Sequence, residues 1–223
     1  MPTQPTGYES PSWWYDFRGF FILKLAYRGS LLSQVRFFSD NISPKHLEIA
    51  IGSGTLFSFI LLWRKLKRKS LGEVTAIDYA DQMLRGARRR FRKKAHFKLL
   101  EANVHRLPFP DQSFSTINVA NAMHCFTEID QALSEMYRVL TPGGRVAVNV
   151  LTFPTGNSLP SRIAKRVNAW GSRKGILHRP YKPEEIKSLA RRAGFQIHFE
   201  SKSGNELRLM FERPRSFGLE AAL

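Results

Sequence analysis

The stretch His46-Leu47-Glu48-Ile49-Ala50-Ile51-Gly52-Ser53-Gly54-Thr55 decides the fold. An apolar run ends in Gly-x-Gly, with an acid four residues ahead of the first glycine. A second apolar, basic-tailed run, 56–69, follows at once, and a third, Val74-Thr75-Ala76-Ile77, closes on Asp78. Strand, glycine turn, helix, strand and terminal acid form the frame that holds a nucleoside cofactor at the C-terminal edge of a parallel sheet. Glycine lets the backbone approach a ligand without a Cβ clash. The spacing from Gly54 to Asp78 is close to the roughly 20 residues expected for an acid that accepts from ribose hydroxyls.

Outward from this frame the chain keeps alternating. Strands are predicted at 46–51, 73–78, 96–101, 114–120 and 143–151, with helices at 55–68, 81–94 and 128–140 between them. That alternation predicts an α/β, Rossmann-like, doubly wound and mostly parallel seven-stranded sheet. Pro142-Gly143-Gly144 reads as a helix stop and tight turn before the fifth strand. A further helix is expected at 157–171, and another starts at Pro183 and is capped by Gly194. Strands 195–201 and 205–213 are joined through Ser203-Gly204-Asn205, a link short enough to demand a C-terminal antiparallel hairpin.

The 223 residues suit one α/β domain, and 43% hydrophobic content marks a globular chain. A single cysteine, Cys125, excludes an internal disulfide framework and argues for a reducing, cytoplasmic compartment. The Cys and His spacing offers no zinc site. Residues 1–11 lack the pattern of a secretory signal, and the longest apolar run, 56–63, is far short of a membrane span. Residues 13–38 are dense in aromatics, among them Trp13, Trp14 and Phe17, and read as one or two helices. The organisation expected is an aromatic-rich helical lid at 1–45 on a single globular unit at 46–223. The lid could equally be an ordinary helix packed on the core.

The net charge of +17 predicts attraction to something anionic. Arg64, Lys65, Lys67, Arg68 and Lys69 close one helix, and Arg85, Arg88, Arg89, Arg90, Arg92, Lys93 and Lys94 close the next. Cations at helix C-termini complement the macrodipole, so a solvated face is one reading. The density of the second cluster exceeds what dipole matching requires. In a doubly wound fold both helix ends point away from the cofactor edge, which makes docking the other reading.

Three further phrases sharpen the frame: Leu107-Pro108-Phe109-Pro110-Asp111-Gln112-Ser113-Phe114, then Asn121-Ala122-Met123-His124-Cys125, then Arg138-Val139-Leu140-Thr141-Pro142-Gly143-Gly144. With the first two motifs they resemble the class I S-adenosylmethionine-dependent methyltransferases, most nearly the small-molecule branch of ubiquinone/menaquinone biosynthesis. The resemblance covers about residues 46–151. It implies S-adenosyl-L-methionine as cofactor. It implies that Glu48 holds the methionine ammonium, that Gly52 and Gly54 pass beneath the cofactor, and that Asp78 grips the ribose. Tyr79 and Met83 would line the adenine, Asn103 and the Val104 N–H would bond it, and Asn121 and Ala122 would flank the methionine carbons. Two positions depart from the family pattern, Ala50 for Gly and Asn103 for Asp. Ala50 fits the turn if its φ is negative, and Asn103 keeps an acceptor oxygen.

Each residue also has a plainer reading. Glu48 could be an ion-paired strand residue. Asp78 could cap the helix at 81–94, although Asp81 is the better-placed cap. Asn103 could serve loop backbone alone. His124 could be a general base or a packed loop residue, and Cys125 reads as packing. The function expected is methyl transfer to a small or amphipathic acceptor, a lipid or quinone precursor met at an anionic membrane surface. The alternatives are an RNA methyltransferase and a non-catalytic binding protein on the same fold.

Overall fold

The computed structural model describes residues 29–156, 158–173 and 177–215. Five strands run parallel: β1 (Lys45–Ile49), β2 (Glu73–Asp78), β3 (Phe97–Glu101), β4 (Phe114–Val119) and β5 (Leu140–Leu151). A hairpin of β6 (Gln196–Ser203) and β7 (Glu206–Glu212) completes the sheet, β7 lying antiparallel to β5. The strand order is β3-β2-β1-β4-β5-β7-β6, so the chain reverses direction across the sheet between β1 and β4. That gap is the switch point at which open α/β sheets bind ligands.

Helices α1 (Leu31–Asn41), α2 (Thr55–Leu66) and α3 (Asp81–Phe91) cover one face. Their Val35, Phe38, Phe57, Ile60, Ala87 and Phe91 share one buried cluster. Helices α4 (Ile129–Val139) and α6 (Pro183–Arg192) cover the other, through Leu133, Met136, Ile186 and Leu189. A further helix, α5 (Leu159–Arg173), lies between β5 and α6 in the chain. No helix among the described residues is long and apolar enough to cross a membrane.

The expected alternation is borne out, and the differences lie at element ends. α2 stops at Leu66 because Arg68 takes φ 52. The Lys69 N–H then reaches Arg64 O at 2.9 Å and the Arg68 N–H reaches Lys65 O at 3.1 Å. This is a Schellman ending built without glycine. Pro142-Gly143-Gly144 does not precede β5 but lies inside it. Register jumps from Phe114↔Leu140 to Thr116↔Arg145, and the Gly143 N–H (φ 75) donates to Arg213 O at 2.8 Å. The turn chemistry is spent on a bulge rather than a loop. Of the aromatic N-terminal segment, 31–41 forms α1, packed on α2 and the sheet. Residues up to 28, with Trp13, Trp14 and Phe17, lie outside the described residues.

Candidate cofactor site at the sheet switch point

The turn after β1 is built from left-handed residues: Ala50 at φ 56, Gly52 at φ 59 and Gly54 at φ 80. Gly54 caps α2. A Cβ there would lie 2.4 Å from the Phe91 ring, so only glycine fits. A Cβ on Gly52 would meet nothing within 4 Å, which leaves open space above the turn. The Gly52 N–H donates to Asp78 Oδ2 at 2.7 Å, and the Ala80 N–H donates to Asp78 Oδ1 at 2.9 Å. The acid that ends β2 is therefore tied directly to the glycine turn that ends β1. Burial raises the Asp78 carboxyl, opposed by the bonds it accepts from Ala80, Gly52 and Tyr79. With about four lone-pair sites on its two oxygens, the carboxylate retains acceptor capacity beyond these backbone bonds. Arg90 closes the turn from outside, with Nε on Ser53 O at 3.2 Å and Nη2 on Thr55 Oγ1 at 2.9 Å.

Two expectations are corrected here. Ala50 does not take a negative φ. It sits in the left-handed region, where a Cβ costs about 1 kcal/mol. Ala50→Gly should therefore stabilise the chain by about 0.5–1 kcal/mol, the gain reduced by glycine's looser unfolded state. Urea denaturation measures it, and a less stable variant would mean that the Ala50 methyl packs to advantage. Asp81 does not cap α3 either. The N-cap is Ala80, and Asp81 in the first turn pairs with Arg88 at 3.1 Å and Arg85 at 3.6 Å.

The end of β3 stands beside that of β2, Asp78 opposite Glu101, and the Ala102 N–H donates to Asp78 O at 3.1 Å. This sets Asn103 and Val104 near Tyr79. Tyr79 is 40% exposed, whereas Met83 lies in the core. Asn103 Oδ1 accepts from the His105 N–H at 2.9 Å, closing its own loop. On β1, Glu48 is buried beside His46, with Oε2 3.2 Å from Nε2. His46 Nδ1 lies 2.9 Å from Thr116 Oγ1. Burial raises Glu48, while the His46 and Asn118 bonds oppose it. Glu48 is thus engaged in a buried hydrogen bond with its strand neighbour His46.

Beyond β4, Asn121 adopts φ 56 and is held by Asn149 on β5. Its N–H donates to Asn149 Oδ1 at 2.6 Å and its Oδ1 accepts from Asn149 Nδ2 at 2.6 Å. Gln34 of α1 bonds Asn121 from the other side, at 3.2 and 3.4 Å. Asn149 Nδ2 also reaches Glu206 Oε1 at 3.2 Å, a fully buried acid over which Gly29 passes. Gln34, Asn149 and Glu206 were not singled out from the sequence. The available signal was Asn149 itself, a lone amide inside Val146-Ala147-Val148-Asn149-Val150-Leu151.

Ala122 and His124 are buried at the following turn, Met123–Cys125. The His124 carbonyl accepts from the N–H groups of His178 and Arg179 at 3.0 and 3.2 Å, which fastens this turn to the segment before α6. Burial pushes the His124 imidazole down to about 4 and the Cys125 thiol up to about 12. Cys125 is therefore a poor nucleophile, in keeping with a packing role. A cleft of about 430 Å³ opens alongside, lined by Glu128, Asp130, Arg179 and Tyr181 among others.

Residues 47–148 match a family described as "Methyltransferase domain". The chain is 39% identical over 115 residues to a demethylmenaquinone methyltransferase of Thermus thermophilus, covering 50% of this chain and 49% of that protein. It is 37% identical over 116 residues to the ubiquinone/menaquinone biosynthesis C-methyltransferase UbiE of Psychromonas ingrahamii, covering 49% and 43%. The chain thus spans about half the length of the curated relatives it matches. Its fold is similar to that of a SAM-dependent methyltransferase from Aquifex aeolicus, with TM-score 0.64 at 18% identity over 92% of this chain and 98% of that one. With the sheet order and the glycine turn answered by Asp78, these matches support a class I S-adenosylmethionine-dependent methyltransferase domain over residues 47–148, resembling the enzymes of ubiquinone and menaquinone biosynthesis.

Proposed function

We propose that the protein transfers a methyl group from S-adenosylmethionine to a small or amphipathic acceptor of the reduced-quinone class. The observation that carries this reading is the pairing of Asp78 with the Gly52 N–H beneath open space at the switch point. A nucleoside laid over Gly52 would find the remaining acceptor capacity of Asp78 at its ribose, with Tyr79, Asn103 and the Val104 N–H on the adenine side; Met83, buried in the core, is not proposed to line it. Glu48, Asn121 and Ala122 would serve the methionine end. Because Glu48 is bonded to His46, its part there would be indirect, through water. When bound, the cofactor supplies an electrophilic methyl on a sulfonium. The chain's task is to hold it, exclude water and accept a proton from the acceptor where one must leave.

The acceptor is proposed to enter beside the Met123–Cys125 turn, through the cleft whose His178 and Arg179 N–H groups hold the His124 carbonyl. The relatives' names favour a quinone precursor. The RNA reading rested on charge, and the basic ends of α2 and α3 lie at the far end of helices that start at the cofactor edge. The test offers labelled S-adenosylmethionine with a short-chain demethylmenaquinol, and separately with transfer RNA. Label should enter the quinol. Label in RNA alone would overturn the acceptor class. Absence of cofactor binding by calorimetry would favour the non-catalytic alternative.

A further inference from the structure

Helix α2 is apolar on two opposite sides. Phe57, Ile60 and Arg64 are buried toward the sheet. Phe59, Leu62 and Leu66 lie about 180° around the helix from them, at 3.6 residues per turn. They are 45%, 55% and 69% exposed. Such an outward stripe on a surface helix has no role in the core. Trp63 borders it, its ring approached by the Arg36 guanidinium at 5.0 Å and the Lys67 ammonium at 5.1 Å.

The stripe is rimmed by cations. Between residues 64 and 94 the chain carries twelve Lys and Arg against three acids. Not all of them are available. Arg64 is buried, donating to the Ser39 and Ser70 carbonyls, and Lys69 pairs with Asp40. Arg85 and Arg88 share Asp81. Lys65, Lys67 and Arg68 around the stripe, and Arg89, Arg92, Lys93 and Lys94 at the end of α3, remain exposed.

We propose that this face docks on an anionic lipid bilayer, with Phe59, Leu62 and Leu66 entering the interfacial layer and the surrounding cations meeting lipid phosphates. Charge complementarity selects an anionic surface. The aliphatic stripe selects a bilayer over RNA, because a nucleic acid offers Leu62 and Leu66 no apolar layer to enter. Trp63 with its two cations has the amphipathic character of an interfacial anchor. Because α2 is 12 residues long, its basic end stands about 18 Å from Gly54. Docking there leaves the glycine turn clear for cofactor exchange.

The experiment is co-sedimentation of the full chain with phosphatidylglycerol–phosphatidylcholine vesicles and with phosphatidylcholine alone, over a salt series. The anionic vesicles should bind the chain, and the neutral ones should not. The double variant Leu62→Ser, Leu66→Ser should bind about tenfold more weakly. Its S-adenosylmethionine affinity and circular dichroism should stay as in wild type, because neither side chain reaches the core or the glycine turn. Lys65→Glu with Lys67→Glu should lower binding and flatten its salt dependence. Unchanged vesicle binding in the serine variant would overturn the proposal, since charge alone would then account for the attraction. Two other outcomes would also overturn it: binding to RNA with no vesicle association, or a wild-type dimer by size exclusion that the serine pair dissociates.

Discussion

Asp78→Ala should weaken S-adenosylmethionine binding at least about tenfold, because two charge-assisted hydrogen bonds of about 1.5–3 kcal/mol each are lost. The expected loss has two parts. One is the direct contact proposed with the ribose. The other is the turn itself, since the Asp78 carboxylate accepts from the Gly52 N–H at 2.7 Å and the Ala80 N–H at 2.9 Å. Without it, the backbone donors of Gly52, Tyr79 and Ala80 lose their partner and the glycine turn loses its tie to β2. Asp78→Asn separates the parts. The amide keeps one acceptor oxygen but turns an NH2 toward one of those donors, so it should bind the cofactor more tightly than the Ala variant and less tightly than wild type. Calorimetry gives the affinities, and urea denaturation gives the stability cost to be set beside them. A folded Asp78→Ala protein with wild-type affinity would remove Asp78 from the cofactor site.

The frame around Asp78 could be read from the sequence because its signals are local. Apolar runs ending in glycine or acid mark strand ends, and the alternation with helices forces a parallel sheet whose C-terminal ends share an edge. What could not be read depends on neighbours distant in the chain. The sign of φ at Ala50 is set by the path the turn must take to bring Gly52 to Asp78, and nothing at position 50 announces it. Glu48 could not be matched with Asn118 until β1 and β4 were in register. The amide pair of Asn121 and Asn149 links β4 to β5, and Gln34 joins it from a helix 87 residues away. The basic runs were visible as charge. Only the helical positions of Phe59, Leu62 and Leu66 distinguish a docking stripe from a solvated helix end.

His124 should make the chain more stable at pH 6.5 than at pH 4 by about 3 kcal/mol, relative to a His124→Gln variant. In the folded state burial holds the imidazole down to about 4, against 6.5 for the solvent-exposed histidine of an unfolded chain. Between those values the unfolded chain binds a proton that the folded chain does not, so unfolding takes up a proton and stability falls as pH falls. Glutamine carries no charge across the window and removes this dependence. Glu48, Asp78 and Glu206, all raised by burial, act in the opposite direction, but they are common to both proteins and cancel in the difference. Parallel stability curves for wild type and variant between pH 4 and 6.5 would show that His124 reaches solvent. The same shift constrains the chemistry. A neutral imidazole is present throughout the physiological range, yet its conjugate acid is strong, so it is a weak general base. If His124 takes the acceptor's proton, kcat/KM should stay level down to about pH 5 and fall near pH 4. His124→Gln should then lower turnover with S-adenosylmethionine affinity unchanged. A fall centred near pH 6.5 that persists in the variant would assign the proton transfer to another group and leave His124 to fasten the Met123–Cys125 turn to the strand of backbone at His178 and Arg179.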